Sequence, residues 1–391
     1  MSGERPRLIP VESREVTSDD GERIRVFRDP AGIALEGLGL SPAAHLVAAQ
    51  FDGTRTAAEL LAQVRASGVA LAASELSTLV EALEEAGFLE GPTREARRRG
   101  ALKRFRAQRA RPPSCAGTVY PAEPAELRAA LDGWLSPPRG PAPALGNVRL
   151  IIAPHIDYAR GAAGYAHAYR ALAAADAELF VVFGTAHATP PHLFTLTRLD
   201  HDTPLGLVPT DRAVVEALAS ELGEEELFED ELAHRDEHSI ELQLVLLAHL
   251  IPRPFTVVPV LCSSISHLRD PEAATVRFHS ALKRAVRGRR VCWLAGADLA
   301  HVGPSYGDSR PPSAPELALL AAADRRTLER VTAGDAAGFH REALRDDERR
   351  RLCGVAPIHA ALCASGLPAR FLYYEQWTDG NDSVSFVAAA G

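Results

Sequence analysis

The sequence has few of the features that mark secreted, membrane-spanning or disulfide-rich proteins. Its five cysteines are odd in number and show no CxxC spacing, so neither a disulfide framework nor a zinc ribbon is indicated. No apolar run approaches the roughly 18–20 residues of a membrane span. Residues 1–18 are charged throughout and lack the apolar centre of a signal peptide. These absences predict a cytoplasmic protein without a membrane partner.

A basic field that would attract nucleic acid is missing as well. Basic residues number 43 and acidic residues 51, for a net charge of −8. The patterns GxGxxG after a strand, GxxxxGK[ST] and GxSxG are absent, so nucleotide binding and α/β-hydrolase chemistry have no support. What is present is a chain of 391 residues, 46% hydrophobic and 24% charged, long enough for two globular domains.

Residues 1–92 are interpreted as a small winged-helix-like α+β domain. Apolar residues at 8–11 and 24–27 predict two strands around a turn at 18–21. Helices are predicted over residues 41–50, 56–66 and 72–86, and a short strand at Phe88-Leu89 follows. The third helix carries four glutamates and no Lys or Arg. Because it would repel phosphates, nucleic acid is not an expected partner.

Residues 93–113 are interpreted as a basic helical linker. Within them, residues 94–111 hold nine Arg or Lys and a single Glu95. Such a charge run is typical of a solvated helix, and a contact with RNA or another anionic partner is the alternative. The second domain is predicted to cover residues 114–391.

Short apolar runs in this second domain predict the buried strands of a central sheet. They are Leu150–Ala153, Leu179–Phe183, Thr256–Leu261 and Val291–Ala295. Helical patterns alternate with these runs between about residues 124 and 365. This alternation predicts a single α/β domain with a central, mostly parallel sheet flanked by helices.

Polar side chains follow three of these runs directly: His155, His187, and Asp298 with His301. The carboxyl ends of parallel strands share one edge of a sheet, where ligands bind, so we expect one shared pocket. Further candidates are His238 and Cys353. Imidazole, carboxylate and thiolate together suit a first-row transition metal such as iron, copper or zinc.

The remaining cysteines and histidines lack such contexts. Cys262, Cys292 and Cys363 sit in apolar runs, which is typical of small buried hydrophobic residues. Other histidines, among them His279 and His359, are interpreted as surface or core residues.

The N-terminal stretch resembles the PqqD-like peptide-recognition domains. The resemblance lies in Leu40-Ser41-Pro42, Phe51-Asp52-Gly53-Thr54 and Ala86-Gly87-Phe88-Leu89. That family binds leader peptides along a strand edge and the third helix, so the resemblance implies a peptide partner. A dimerisation module or simple appendage is the alternative.

Residues 114–391 resemble the Memo family, known in prokaryotes as AmmeMemoRadiSam system protein B. The matching stretches include Ala116–Tyr120, Ile152–His155, Gly184–His187, Thr203–Gly206, Asp236–Glu241, Asp298–His301, Cys353-Gly354 and Asp382–Ser385. The resemblance implies a fold similar to that of class III (LigB-type) extradiol dioxygenases, which use mononuclear non-haem iron.

The resemblance also implies the composition of the site. It places metal ligands at His155, His187 and Cys353, with His238, Asp298 and His301 lining the same pocket. We expect these three to be catalytic: His238 and His301 as general acid or base, and Asp298 as the group that orients His301 or a water. The implied function is that of a mononuclear redox protein using Fe(II) or Cu, with Zn as a further candidate, and of an oxidoreductase if it is an enzyme.

The family's name implies a radical SAM enzyme and an AMMECR-type protein as partners. A non-catalytic metal- or peptide-binding component of that system is the alternative function. Where the family tends to have Ala-Gly-Tyr after the first ligand histidine, this chain has Ile156-Asp157-Tyr158. We therefore expect Asp157 to be a hydrogen-bond partner of His155.

Overall fold

The chain divides into two units, Met1–Ala107 and Gln108–Gly391. The structure, a computed structural model, describes residues 5–17, 21–35, 37–68, 70–136, 145–188, 190–345 and 347–391. The predicted turn at 18–21 therefore lies largely outside the described residues. Among the described residues, no helix is both long enough and apolar enough to cross a membrane.

The first unit combines a small antiparallel sheet with helices. Its strands, in the order β1-β2-β3, are β1 (Glu12–Thr17), β2 (Arg23–Arg28) and β3 (Leu38–Leu40). Its helices are α1 (Pro42–Ala48), α2 (Ala57–Ala66), α3 (Ala73–Ala86) and α4 (Pro92–Arg106). The Ser41 hydroxyl caps α1, a capping box of Thr56 and Glu59 begins α2, and Gly87 with φ 85° ends α3.

The first strand lies later in the chain than its apolar residues predict. Leu8 and Ile9 instead form an extended segment whose N–H groups donate to Phe51 O and Phe88 O. Ile9 is buried in the core of this unit, whereas the polar strand β1 is held by its pairing with β2. The apolar residues thus mark a core contact and not a sheet strand.

The basic helix α4 packs against other parts of the first unit. Its Arg94 guanidinium donates to the buried Asp29 carboxylate at 2.7 Å and to Gly87 O at 3.0 Å. Arg97 donates to Glu85 O at 2.7 Å. These contacts explain why residues up to Ala107 group with the first unit.

The second unit alternates strands and helices. Its strands are β4 (Ala110–Arg111), β5 (Leu150–Ala153), β6 (Leu179–Thr185), β7 (Phe194–Leu196), β8 (Asp200–His201), β9 (Thr256–Cys262), β10 (Val291–Gly296), β11 (Asp298–Val302), β12 (Arg370–Thr378) and β13 (Ser383–Ala390). Its helices are α5 (Pro124–Trp134), α6 (Tyr158–Leu172), α7 (Arg212–Leu222), α8 (Glu224–Phe228), α9 (His238–Leu250), α10 (Pro271–Ala285), α11 (Ala314–Ala333), α12 (Ala336–Leu344), α13 (Asp347–Arg350) and α14 (Val355–Ser365).

The main sheet is mixed, with a parallel centre. Its order is β11-β13-β5-β10-β6-β9-β7, and β12 pairs with β13. The adjacent strands β5, β10, β6 and β9 are parallel, whereas β7 and β13 are antiparallel to their neighbours. The parallel strands are the ones that the apolar runs predict. The predicted α/β architecture is therefore confirmed.

Helices cover both faces of this sheet. Alternate residues of each strand enter different hydrophobic clusters, because successive side chains of a strand point to opposite faces. Ile152 and Val181 belong to one cluster, and Ile151 and Val182 belong to the other. Each such fully buried aliphatic side chain contributes about 1.5–3 kcal/mol. This two-sided burial fixes the strand register and hence the level at which the strands end.

Candidate metal centre

The parallel strands deliver the candidate residues to one edge of the sheet. In the ladder, Gly296 at the end of β10 lies opposite both Ala153 of β5 and Gly184 of β6. His155 and His187 follow these aligned strand ends by two and three residues respectively. The two histidines therefore reach the same level on either side of β10, as expected for side chains after parallel strands.

Glycines at these strand ends allow the close approach of a helix that carries a third histidine. A Cβ on Gly184 would lie 2.5 Å from Ser239 Oγ, and one on Gly296 would lie 2.5 Å from Ser239 O. The absence of side chains there leaves room for the first turn of α9, which begins at His238. The Ser239 hydroxyl secures it by donating to Thr185 O at 2.9 Å.

The three imidazoles form a compact group. Ligand-capable atoms of His155, His187 and His238 all lie within 4.8 Å of one another. The His155 ring meets the other two edge-on, and the His187 and His238 rings stack with centroids 4.7 Å apart. His155 is 2% exposed, whereas the side chains of His187 and His238 are 41% and 39% exposed. The group is thus a pocket with a buried floor and an open rim.

Hydrogen bonds orient two of the rings. His155 Nδ1 lies 2.9 Å from Gly296 O, which can only accept, so this nitrogen carries the proton. His187 Nδ1 lies 2.9 Å from Glu237 Oε1. Both bonds leave Nε2 as the free ring nitrogen, which is the arrangement found in metal-binding histidines.

Glu237 positions residues of the pocket, although no role was predicted for it from the sequence. Its carboxylate accepts the backbone N–H groups of His187 and Ser239, each at 2.9 Å, and so caps α9 as well. Burial would raise its pKa, but the hydrogen bond and charge of His187, the charge of His238 and the Ser239 N–H together hold it well below its usual range. The signal in the sequence is its position directly before His238.

Cys353 joins the pocket from a distant part of the chain. Its Sγ lies 3.2 Å from His155 Nε2, and its carbonyl accepts from the Thr185 hydroxyl at 3.0 Å. The turn before it holds Arg351 at φ 49°, an uncommon conformation for a residue with a side chain. Strain of this kind concentrates at functional sites. Burial and the Asp298 carboxylate raise the pKa of the Cys353 thiol.

Asp298 is hydrogen-bonded to the backbone of His155 and lies close to its ring. Its carboxylate accepts the His155 backbone N–H at 2.9 Å and lies 3.7 Å from His155 Nε2. Burial raises the pKa of Asp298 to about 7. The carboxyl group is therefore poised to exchange a proton near neutral pH, next to the floor of the pocket.

His301 has a separate set of contacts. Its Nδ1 lies 3.1 Å from Leu299 O, and its ring packs edge-on against Tyr306. Partial burial lowers its pKa to about 4, and the charge of His187 adds to this effect. The Asp298 carboxylate is bonded to the His155 backbone, and among the described residues no hydrogen bond or ion pair joins it to His301, so the expected orienting role of Asp298 toward His301 has no such bond behind it.

The pKa values of the pocket histidines are shifted in different directions. Burial lowers the pKa of His155 well below its usual value, and the charges of His187 and His238 add to this shift. Partial burial also lowers the pKa of His238. For His187, burial acts in the same direction, but the hydrogen bond and charge of Glu237 outweigh it and raise the pKa.

The expected role of Asp157 is wrong. Its carboxylate caps α6 by accepting the Arg160 N–H at 3.0 Å, and it pairs with the Arg160 guanidinium. The partner of His155 Nδ1 is the carbonyl of Gly296 instead. A helix N-terminus one residue later competes for the carboxylate, which the sequence order alone does not reveal.

A buried ion pair near the start of α9 was not predicted from the sequence. Glu241 and Arg111 are both buried and bonded to each other. Glu241 further accepts from the N–H groups of Ser114 and Cys115, each at 2.9 Å, and from the Tyr120 hydroxyl. Arg111 donates to the Glu237 carbonyl at 2.8 Å. This network anchors the start of α9 from below.

The donor set fits a first-row transition metal. Two imidazoles are oriented with Nε2 toward the pocket, a third imidazole lies beside them, and a sulfur is within 3.2 Å of the His155 nitrogen. Nitrogen and sulfur donors select copper, iron or zinc over magnesium or calcium. The open rim leaves space for a further ligand.

The fold and the site together define an α/β protein with a histidine- and cysteine-lined pocket at the carboxyl edge of its parallel strands. Residues 111–391 match the family of Memo-like proteins. The chain is 32% identical over 288 residues to a MEMO1 family protein of Thermus thermophilus, covering 72% of this chain and 82% of the relative. It is 27% identical over 284 residues to a MEMO1 family protein of Aquifex aeolicus, covering 72% and 73%.

The chain belongs to the Memo-like family. The resemblance noted from the sequence of the second domain is therefore confirmed. The resemblance of the first unit to peptide-recognition domains stays a prediction, because the family match begins at residue 111.

Proposed function

We propose that this protein is a mononuclear redox-metal protein that acts as an oxidoreductase. The observation that carries the proposal is the convergence of His155, His187, His238 and Cys353 on one solvent-open pocket. His155, His187 and Cys353 would hold Fe(II) or Cu, and Zn would also suit these donors. Iron or copper, when bound, would supply one-electron and O2 chemistry, whereas Zn²⁺ has no redox activity.

The chain's own residues supply positioning and proton transfer. Gly296 O and Glu237 keep the Nδ1 protons of His155 and His187 in place, so both rings present Nε2 to the pocket. His238 stands at the exposed rim with a lowered pKa, so its neutral ring can accept a proton from a substrate. Asp298, with a pKa raised to about 7 by burial, can hold or release a proton beside the floor.

The thiolate donor bears on the reaction class. LigB-type dioxygenases, to which the family's fold is similar, use a carboxylate where this chain would use Cys353. A thiolate is the softer and more easily oxidised ligand. The proposal is therefore redox chemistry at a thiolate-bound metal, and ring cleavage is not part of it.

The test is the iron and copper content of protein purified without oxygen. We compare the wild type with His155→Ala and Cys353→Ser, and use His192→Ala, a partly exposed histidine bonded to Asp230, as the control. Near-stoichiometric iron or copper in the wild type and the control, lost in both pocket variants, supports the proposal. A wild type that holds neither metal and takes up neither added Fe(II) nor added Cu(I) contradicts it.

A second proposal concerns the first unit, which would capture a peptide for a modification system. What supports it is an open strand edge: in the described part of the sheet β1 pairs only with β2, and most of its residues are exposed. Such an edge can accept an added peptide strand. A radical SAM enzyme and an AMMECR-type protein are the partners that this proposal includes.

Pull-down with the full chain and with residues 108–391 tests the second proposal. Retention of a peptide or of either partner by the full chain alone supports it. Equal retention by both chains, or by neither, contradicts it.

A further inference from the structure

A second group of metal-capable side chains lies between helices α10 and α14. His359 and Cys363 stand four residues apart on α14, so they share one face of that helix. Glu272 stands in the first turn of α10, which packs against α14. A carboxylate oxygen of Glu272, a ring nitrogen of His359 and Cys363 Sγ all lie within 4.8 Å of one another. None of these residues belongs to the pocket at the strand ends.

The spacing of nitrogen and sulfur suits a shared ion. Zinc bonds of about 2.0–2.1 Å to nitrogen and about 2.3 Å to sulfur, at a tetrahedral angle, place the two atoms about 3.6 Å apart. His359 Nε2 and Cys363 Sγ lie 3.7 Å apart. The separation is therefore close to the ligand spacing of a tetrahedral ion. Because the sulfur is almost equally far from Nδ1, at 3.8 Å, a rotation of the imidazole is needed to direct the Nε2 lone pair at the ion.

The polar groups of this cluster have little else to bind. The His359 side chain is buried, and across the described part of the chain the Cys363 sulfur, at 3.7 and 3.8 Å, is the hydrogen-bond partner found for its ring nitrogens. Hydrogen bonds to a thiol sulfur are weak, and a single sulfur lies near both ring nitrogens. A buried imidazole without a good partner costs free energy that a bound ion would recover.

A neighbouring histidine provides an independent sign of a missing ligand. His279 lies two turns after Glu272 on α10 and is 6% exposed. Burial lowers its pKa, and the charge of His359 lowers it further. Its Nε2 is buried and has no hydrogen-bond partner among the described atoms. Buried polar atoms are nearly always satisfied, so this orphaned nitrogen on α10 indicates a polar group or ion bound near it.

We propose that Glu272, His359 and Cys363 bind one Zn²⁺-type ion. Imidazole, thiolate and carboxylate are the ligand types that zinc takes in proteins, and three of them leave one position for water. The ion would join α10 to α14, which begins two residues after Cys353. This site is independent of the redox-metal proposal, since it shares no residue with it.

The test uses Co²⁺ as a spectroscopic stand-in for zinc in the full chain. Both variants of the strand-end pocket, His155→Ala and Cys353→Ser, are combined so that no thiolate remains there. We expect this background to bind one Co²⁺ per chain with a thiolate-to-cobalt absorption band, and zinc to displace it. A background that binds no Co²⁺ and shows no thiolate band overturns the proposal.

Further substitutions in the same background assign the ligands. Cys363→Ser should abolish the band, and Glu272→Gln should weaken Co²⁺ binding at least tenfold. Glu272 is exposed, so its substitution leaves folding intact, and the exposed Glu329→Gln on α11 serves as its matched control. Binding that is unchanged in Glu272→Gln and Cys363→Ser, with a normal far-ultraviolet spectrum, refutes the assignment.

Discussion

Replacing Glu237 with glutamine separates its charge from its shape. The carboxylate accepts the His187 ring at 2.9 Å and the backbone N–H groups of His187 and Ser239. A glutamine oxygen can still accept some of these bonds, so the start of α9 should remain capped. What the variant loses is the negative charge that keeps the His187 ring oriented and basic.

The magnitude follows from the role of Glu237 as the partner of a ligand histidine. Removing such partners typically weakens metal binding 10–100-fold, which is about 1.4–2.8 kcal/mol. Glu237 is 6% exposed, so solvent screens its charge little, and we expect a loss near the upper end of this range.

The assay is a chelator-competition titration of Fe(II) or Zn(II) under anaerobic conditions. Asp236→Asn is the matched control, because that carboxylate loses the same charge but is 62% exposed and pairs with Arg235. We expect the control to bind as the wild type does. If Glu237→Gln binds the metal as tightly as Asp236→Asn, the role assigned to Glu237 is wrong.

Three further predictions concern stability. Glu241→Gln should lower the free energy of unfolding by about 3–5 kcal/mol, measured in urea, because it leaves the buried Arg111 without its counterion. Gly354→Ala should cost about 1–3 kcal/mol and reduce metal content, because the new Cβ would lie 2.2 Å from Asp298 O. Asp29→Asn should destabilise the chain near pH 7 but not in acid. Burial would raise the Asp29 pKa, but Arg94 and backbone N–H groups lower it below 3.8, so its stabilisation is present above that pH and disappears as pH falls through the lowered value.

The Glu241 and Gly354 predictions each have a control variant, and the Asp29 prediction is checked by its pH dependence. Glu316→Gln removes an exposed partner of Arg310 and should change stability by less than about 1 kcal/mol. Gly133→Ala adds a methyl group in a helix with nothing within 4 Å, so it should not destabilise the chain. A Glu241 loss no larger than the Glu316 one, a silent Gly354→Ala, or an Asp29→Asn effect that persists in acid would each contradict the structural account.

The fold was largely predictable because its signals are local. Four apolar runs, each ended by a polar side chain or turn, mark the parallel strands, and the register of parallel strands brings their ends to one level. His155 and His187 could thus be placed in one pocket from strand order alone. The same reasoning gave a wrong position for the first strand of the N-terminal unit, because apolar Leu8 and Ile9 pack into a core without joining the sheet.

By itself the sequence determined which metal-binding and acid–base side chains the protein has. They are the histidines after buried strands, the cysteine of Cys353-Gly354, and the stretch from Asp236 to Glu241. The tertiary structure alone decided which of these groups meet. Cys353 reaches His155 across 198 residues of chain, and His238 reaches the same pocket only because Gly184 and Gly296 carry no side chains. Contacts between distant segments depend on packing at the level of single methyl groups, and no local periodicity encodes them.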